Sequence, residues 1–117
     1  MSKQRAKGTA FENAVADYLA RDSGLFVVRR AMGGTNDKGD LLVKGERGSV
    51  AVECKNCQRH ELADWLRQAR VEADNAGDDF GAVVFHARGK GAKQMGDQFV
   101  LMGLAEFKRL IGGAVDA

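Results

Sequence analysis

The stretch from Gly39 to Lys55 constrains this chain more than any other. Two apolar runs, Leu41-Leu42-Val43 and Val50-Ala51-Val52, flank Gly45-Glu46-Arg47-Gly48, a composition that reverses a chain between antiparallel strands. A turn symmetric about Glu46 and Arg47 pairs Lys44 with Ser49, Val43 with Val50, Leu42 with Ala51, Leu41 with Val52 and Asp40 with Glu53. Alternation along each strand then puts Leu41, Val43, Val50, Val52 and Cys54 on one face and Asp40, Leu42, Ala51, Glu53 and Lys55 on the other. The first is a core face. On the second, opposed residues have Cβ atoms roughly 5 Å apart, and like charges there repel unless a cation lies between them. Magnesium takes carboxylate oxygens and retains several waters, so Asp40 and Glu53 form a candidate metal site with the Lys55 ammonium one strand step beyond. A solvated polar face with a weak surface ion pair is the plainer alternative, but such a face needs no particular order of charges. The geometry depends on register, because a slip of one residue sends the two carboxylates to opposite faces.

With 117 residues, 44% hydrophobic and 29% charged, the chain reads as a single domain over 1–117 with room for one core. No apolar run reaches membrane-spanning length, and the basic start lacks the apolar stretch of a secretory signal. A cytoplasmic protein is expected. The net charge of +2 is too small to indicate a nucleic-acid partner, so its distribution matters more. Lys3, Arg5 and Lys7 load the N-terminus, Arg29 and Arg30 end an apolar run, and Arg88, Lys90 and Lys93 share a glycine-containing loop. These clusters suit phosphates, although solvated loops also carry such residues. The two cysteines, Cys54 and Cys57, stand in a C-x-x-C spacing with His60 nearby, which raises a zinc or redox reading. Cys54 falls on the core face, where a free cysteine acts as a small hydrophobe, and no second C-x-x-C completes a four-ligand site.

Residues 9 to 22 read as an amphipathic helix with Phe11, Val15, Tyr18 and Leu19 on one stripe. Thr9 is a natural N-cap and Glu12 would close a capping box with it, yet Glu12 also borders the stripe, where a third carboxylate could reach the metal. Leu25 to Arg30 is rich in strand formers. A polar loop with Thr35, Asn36, Asp37 and Lys38 follows, and Asp37 rivals Asp40 as a ligand. Asp40 is preferred because it falls in register with Glu53. A helix from about Glu61 to Asn75 is expected to bury Leu62, Trp65, Leu66, Ala69 and Ala73, with Gln68 bordering the stripe and Val71 on the polar side, a hint of a dimer contact. Gly81 to His86 reads as a doubly buried strand, parallel to its predecessor after a right-handed helical crossover. Gln98 to Met102 supplies a last strand, and a closing helix from Leu104 to Ile111 is expected to bury Leu104, Phe107, Leu110 and Ile111. The predicted order is α-β-β-β-α-β-β-α, an α/β sandwich around a mixed sheet.

Glu12, Gly39-Asp40 and Glu53-Cys54-Lys55, followed by a helix carrying Gln68, resemble the PD-(D/E)XK nuclease superfamily, and within it the archaeal-type Holliday junction resolvases. The resemblance implies a restriction-endonuclease-like mixed sheet flanked by helices and an Mg²⁺-dependent endodeoxyribonuclease, with Mn²⁺ as a substitute. It implies catalytic roles for Glu12, Asp40, Glu53, Lys55 and Gln68. Metal would be held by Glu12, Asp40, Glu53 and the main-chain carbonyl of Cys54. Lys55 would orient the attacking water or, with a lowered pKa, deprotonate it. Branched DNA, above all a four-way junction, is the implied partner, contacted by Lys3, Arg5, Lys7, Arg29, Arg30, Thr35, Lys38, Arg88, Lys90 and Lys93. Paired symmetric nicks imply a homodimer. The alternatives are a nuclease for another DNA structure (a nick, flap, repair or restriction substrate), a non-catalytic DNA-binding protein of the same fold, and a zinc module built on Cys54, Cys57 and His60.

Overall fold

A computed structural model describes residues 2–30 and 37–114. Thr35 and Asn36, named above, lie outside the described residues. The order is α1 (Lys3–Ala20), β1 (Phe26–Arg29), β2 (Leu41–Gly45), β3 (Gly48–Lys55), α2 (Leu62–Ala76), β4 (Phe80–Phe85), a 3-10 turn (Ala92–Asp97), β5 (Phe99–Leu101) and α3 (Leu104–Leu110). The five strands form one mixed sheet in sequential order. β3 and β4 run parallel across the α2 connection, and the other neighbours are antiparallel. The sequence-based order of helices and strands is the observed one.

Helix α1 begins six residues earlier than Thr9. The Ser2 side chain caps it by accepting from the Arg5 amide at 3.1 Å. Gly8 in a helix interior costs about 1 kcal/mol, but Lys3, Gln4, Arg5, Ala6 and Lys7 are sound helix formers and carry the helix through it. Thr9 is therefore internal, the expected capping box does not exist, and the Glu12 carboxylate is released for other work. The expected apolar stripe is only partly buried. Phe11 and Val15 are covered, whereas Tyr18 is half exposed.

The hairpin register from Leu41↔Val52 to Gly45↔Gly48 is the expected one. Its alternation builds two cores, because helices cover both faces of the sheet. Phe11 and Val15 of α1 pack on Leu41, Val43 and Val52, with Val50 and Cys54 at the margin. On the opposite face Trp65 and Ala69 of α2 pack on Val83 and Phe85. Burying a residue such as Leu41 or Val83 contributes about 1.5–3 kcal/mol. The close seat of α2 depends on Gly81, because a Cβ there would strike the carbonyl of Ala69. The face carrying Glu53 and Lys55 is thus roofed by a helix rather than solvated.

Two expected stripes are corrected. Leu62 at the start of α2 is 43% exposed, while Glu72, absent from the expected stripe, is only 1% exposed. Helix α3 has no buried residue at all. It is held by polar contacts: Glu106 accepts from the Gly81 amide at 2.8 Å, and Arg109 donates to the Asp79 carbonyl and lies over the Phe80 ring. Those contacts turn the other side outward, leaving Leu104, Phe107 and Ile111 at 82%, 46% and 63% exposure. A stripe at helical spacing records which side is apolar, not what covers it.

Candidate active site

Strand pairing fails at one instructive point. The ladder between β2 and β3 stops at Leu41↔Val52, and the Asp40 amide donates to the Val52 carbonyl at 2.9 Å. Asp40 therefore does not make the regular pair with Glu53 that a continued ladder would give. Instead its carboxylate turns into the space that β2 vacates and accepts from the Cys54 amide at 2.8 Å. A buried strand N–H demands a partner, so the departure of β2 and the position of the Asp40 carboxylate are one event. The chain can leave there because Gly39 takes a left-handed φ of 88°, a conformation open mainly to glycine. A Cβ at Gly39 would also press on the Val52 carbonyl at 3.3 Å.

Lying at the end of the ladder, Asp40 meets acids from both sides of the sheet. From α1 comes Glu12, which interacts with Asp40 and is paired with Arg29 at 2.7 Å. Burial and then the charge of Asp40 raise its pKa, against the opposing pull of Arg29. From β3 comes Glu53, only 8% exposed. Desolvation and then Asp40 push it up, while Lys55, with Nζ 3.3 Å from Glu53 Oε2, acts against them. Gln68 of α2 donates to Glu53 Oε2 at 3.0 Å and to Glu72 Oε2 at 3.3 Å. Glu12, Asp40, Glu53, Lys55 and Gln68 are thus gathered around the end of β2, although they come from two helices and two edges of a hairpin.

The acid that sequence reasoning missed is Glu72. Its carboxylate meets Glu53 and Asp37, and Asp37, Glu53 and Glu72 each offer an oxygen within 4.8 Å of the others. Desolvation, then Glu53, then Asp37 raise the Glu72 pKa. A signal was present: residues 65, 69, 72 and 73 recur at i, i+4, i+7 and i+8, so Glu72 is an acid inside the α2 stripe. Asp37, weighed against Asp40 in the sequence, stands beside it. Its Oδ1 accepts from the Gly39 amide at 2.9 Å, and its carbonyl accepts from Asn75 at 2.9 Å.

These donors are all carboxylate oxygens, a set that fits a hard divalent cation such as Mg²⁺ or Mn²⁺. The zinc module has no such support. Cys54 packs against the α1 core, whereas His60 lies on the opposite face against Trp65 and Phe85, at ring-centroid distances of 5.7 and 5.0 Å. Burial, reinforced by Asp40, Glu12 and Glu53, pushes the Cys54 thiol up, the reverse of what a thiolate ligand needs.

The basic residues fall into two groups. Lys3, Arg5 and Lys7 lie exposed on the first turns of α1, and Lys38, Arg88, Lys90 and Lys93 are exposed in loops or the 3-10 turn, with Lys90 3.8 Å from Asp97. Lys7, His86 and Arg88 share the lining of a cavity of about 190 Å³ with Asn56, Cys57 and Gln58, beside the end of β3 where the His86 amide donates to the Lys55 carbonyl. Arg29 and Arg30 are both engaged by other groups of the protein, Arg29 at the surface with its side chain 46% exposed and Arg30 in a more enclosed position. Arg29 clamps Glu12 and Asn13. Arg30, only 15% exposed, bonds Asp78 at 2.7 Å and the Lys38 carbonyl at 2.6 Å.

A mixed sheet with this order of elements, helices on both faces and acids at the end of its central hairpin defines the restriction-endonuclease-like fold class. Among solved structures the chain is similar to Archaeoglobus fulgidus Hjc, a Holliday junction resolvase from an archaeal hyperthermophile, with a TM-score of 0.56 and 72% of each chain covered. At 22% identity the likeness is one of fold. No family model and no curated protein matches the chain significantly.

Proposed function

We propose that this protein is a divalent-metal-dependent DNA endonuclease, and specifically a Holliday junction resolvase that makes paired, symmetric nicks in four-way junctions. The observation that carries the reading is the convergence of Glu12, Asp40, Glu53 and Lys55 where β2 leaves the ladder, in a fold similar to that of a resolvase. Asp40 and Glu53 would hold Mg²⁺, or Mn²⁺ in its place, with Glu12 and the main-chain carbonyl of Cys54 completing the oxygen set. When bound, the ion polarises a phosphoryl oxygen and lowers the pKa of water. Lys55 Nζ orients the attacking water or takes its proton, and Gln68 fixes the Glu53 carboxylate. As the water oxygen bonds to phosphorus, one P–O ester bond breaks and the departing oxygen gains a proton.

Lys3, Arg5, Lys7, Lys38, Arg88, Lys90 and Lys93 lie exposed for phosphates of the flanking arms. Cutting two strands symmetrically needs two sites related by a two-fold axis, and the outward stripe of α3 offers an apolar surface for a second copy. A cytoplasmic location goes with this work, and among the described residues no helix is long and apolar enough to cross a membrane.

Fold does not fix substrate, so the deciding experiment offers the protein, with Mg²⁺, a four-way junction, a linear duplex, a flap and a single strand. Paired symmetric nicks on the junction alone are expected. Comparable cutting of all four would replace the resolvase with a nuclease of broader range, and binding without cutting would leave a DNA-binding protein.

A further inference from the structure

We infer that Asp37, Glu53 and Glu72 form a second divalent-cation site, separate from Asp40 and joined to it only through the shared Glu53. Three oxygens within 4.8 Å of one another come from the loop before β2, from β3 and from α2. An acidic cluster alone would not make a site, but two further observations point to a ligand here. Glu72 is 1% exposed, and its Oε1 is buried with no hydrogen-bond partner among the described residues. Gln68 donates to the other oxygen, Glu72 Oε2; the neighbours that act on the Glu72 carboxyl are the acids Glu53 and Asp37, and a Cβ built at Gly39 would stand 3.7 Å from Oε1. A buried carboxyl oxygen with no donor to satisfy it is unfavourable, and a cation among the three groups would supply the missing partner. The second observation is a way in. A cavity of about 400 Å³ opens on the cluster, lined by Asp37, Gln68 and Glu72 and walled by Asp64, Arg67 and Val71.

The donors select the ion class. Three carboxylates with no nitrogen or sulfur suit Mg²⁺, Mn²⁺ or Ca²⁺, and the cavity leaves room for the waters these ions retain. Two oxygens bound on opposite sides of one Mg²⁺ lie about 4.2 Å apart and on Ca²⁺ about 5 Å apart, and adjacent ones closer, so oxygens within 4.8 Å of one another are near enough for one ion to draw together. Gln68, donating to both Glu53 and Glu72, holds two of the three ligands in place as a positioning residue.

The inference rests on the proposed nuclease site only through Glu53, and its test needs no DNA. Bound Mn²⁺ is counted by electron paramagnetic resonance on the intact protein, for the wild type and for Asp37→Asn, Glu72→Gln and Asp40→Asn. Relative to the wild type, Asp37→Asn and Glu72→Gln are each expected to lose one Mn²⁺ per chain or to bind it at least tenfold more weakly. Asp40→Asn is expected to keep the ion that those variants lose. Asp37 is exposed, so Asp37→Asn decides the matter even should Glu72→Gln unfold. Mn²⁺ counts and affinities in Asp37→Asn equal to those of the wild type would overturn the site. A protein that loses one Mn²⁺ on Asp37→Asn but cuts no DNA keeps this inference and loses the proposed function. The converse result, cutting of junctions with Mn²⁺ binding indifferent to Asp37, separates the two in the other direction.

Discussion

Helices α2 and α3 meet the same sheet in opposite senses. Helix α2 turns its apolar stripe inward and carries one acid, Glu72, into the protein with it. Helix α3 turns Glu106 and Arg109 inward and leaves Leu104, Phe107 and Ile111 in solvent. Each breaks the simple rule at one place. A buried carboxylate is unfavourable and marks where chemistry is done. An exposed apolar stripe is unfavourable too, and marks where a second surface belongs. Under the proposed function, chemistry belongs to the α2 side and assembly to the α3 side.

The largest expected effect tests the α2 side. Asp40→Asn, Glu53→Gln and Lys55→Ala should each lower junction nicking by roughly a thousandfold, about 4 kcal/mol of transition-state stabilisation, while gel-shift binding in Ca²⁺ survives. Wild-type nicking by Asp40→Asn in Mg²⁺ would show that the chemistry lies elsewhere.

Next in size is the seat of α2 itself. Gly81→Val places side-chain atoms against the Ala69 carbonyl and should destabilise the fold by about 1–3 kcal/mol, visible as a lower urea midpoint. An unchanged midpoint would mean that α2 is not held as tightly as the contact implies.

On the other side, Phe107→Glu should change the thermal midpoint only slightly, because about half of Phe107 already faces solvent among the described residues. It should, however, convert a dimer to a monomer in sedimentation at micromolar concentration. If the mass is the same for both proteins, the stripe serves something other than self-association.

The smallest effect concerns pH. The folded pKa of Glu72 is raised from 4.5 to about 9, so between those values the folded state binds more protons than the unfolded one. Stability therefore falls as pH rises across that window. In EDTA the thermal midpoint should drop by several degrees between pH 5 and pH 9, and Glu72→Gln should flatten the slope. A slope identical in the variant would assign the dependence to other groups.

Much of this was legible in the chain. The hairpin register followed from Gly45-Glu46-Arg47-Gly48 between two alternating runs, because side-chain alternation allows one register that buries Leu41, Val43 and Val52 together. That pattern also brought Glu53 and Lys55 to one face. The grouping with Glu12 needed the resemblance to known nucleases, since the local pattern favoured a cap at Thr9 that the longer helix removes. Glu72 was readable in principle from its place on the α2 stripe, but acids seldom occupy such positions.

Local periodicity and turn chemistry thus determined, from sequence alone, the order of elements, the hairpin and the apolar side of each helix, because those depend on neighbours within a few residues. Three features required the tertiary structure. Asp40 swings onto the Cys54 amide only because β2 leaves the ladder at Gly39. Glu72 is buried only because α2 sits close over Gly81. The α3 stripe faces outward only because Glu106 and Arg109 find partners at the start of β4. Each depends on contacts between segments far apart in the chain, and no local pattern encodes which of two available faces such a contact will select.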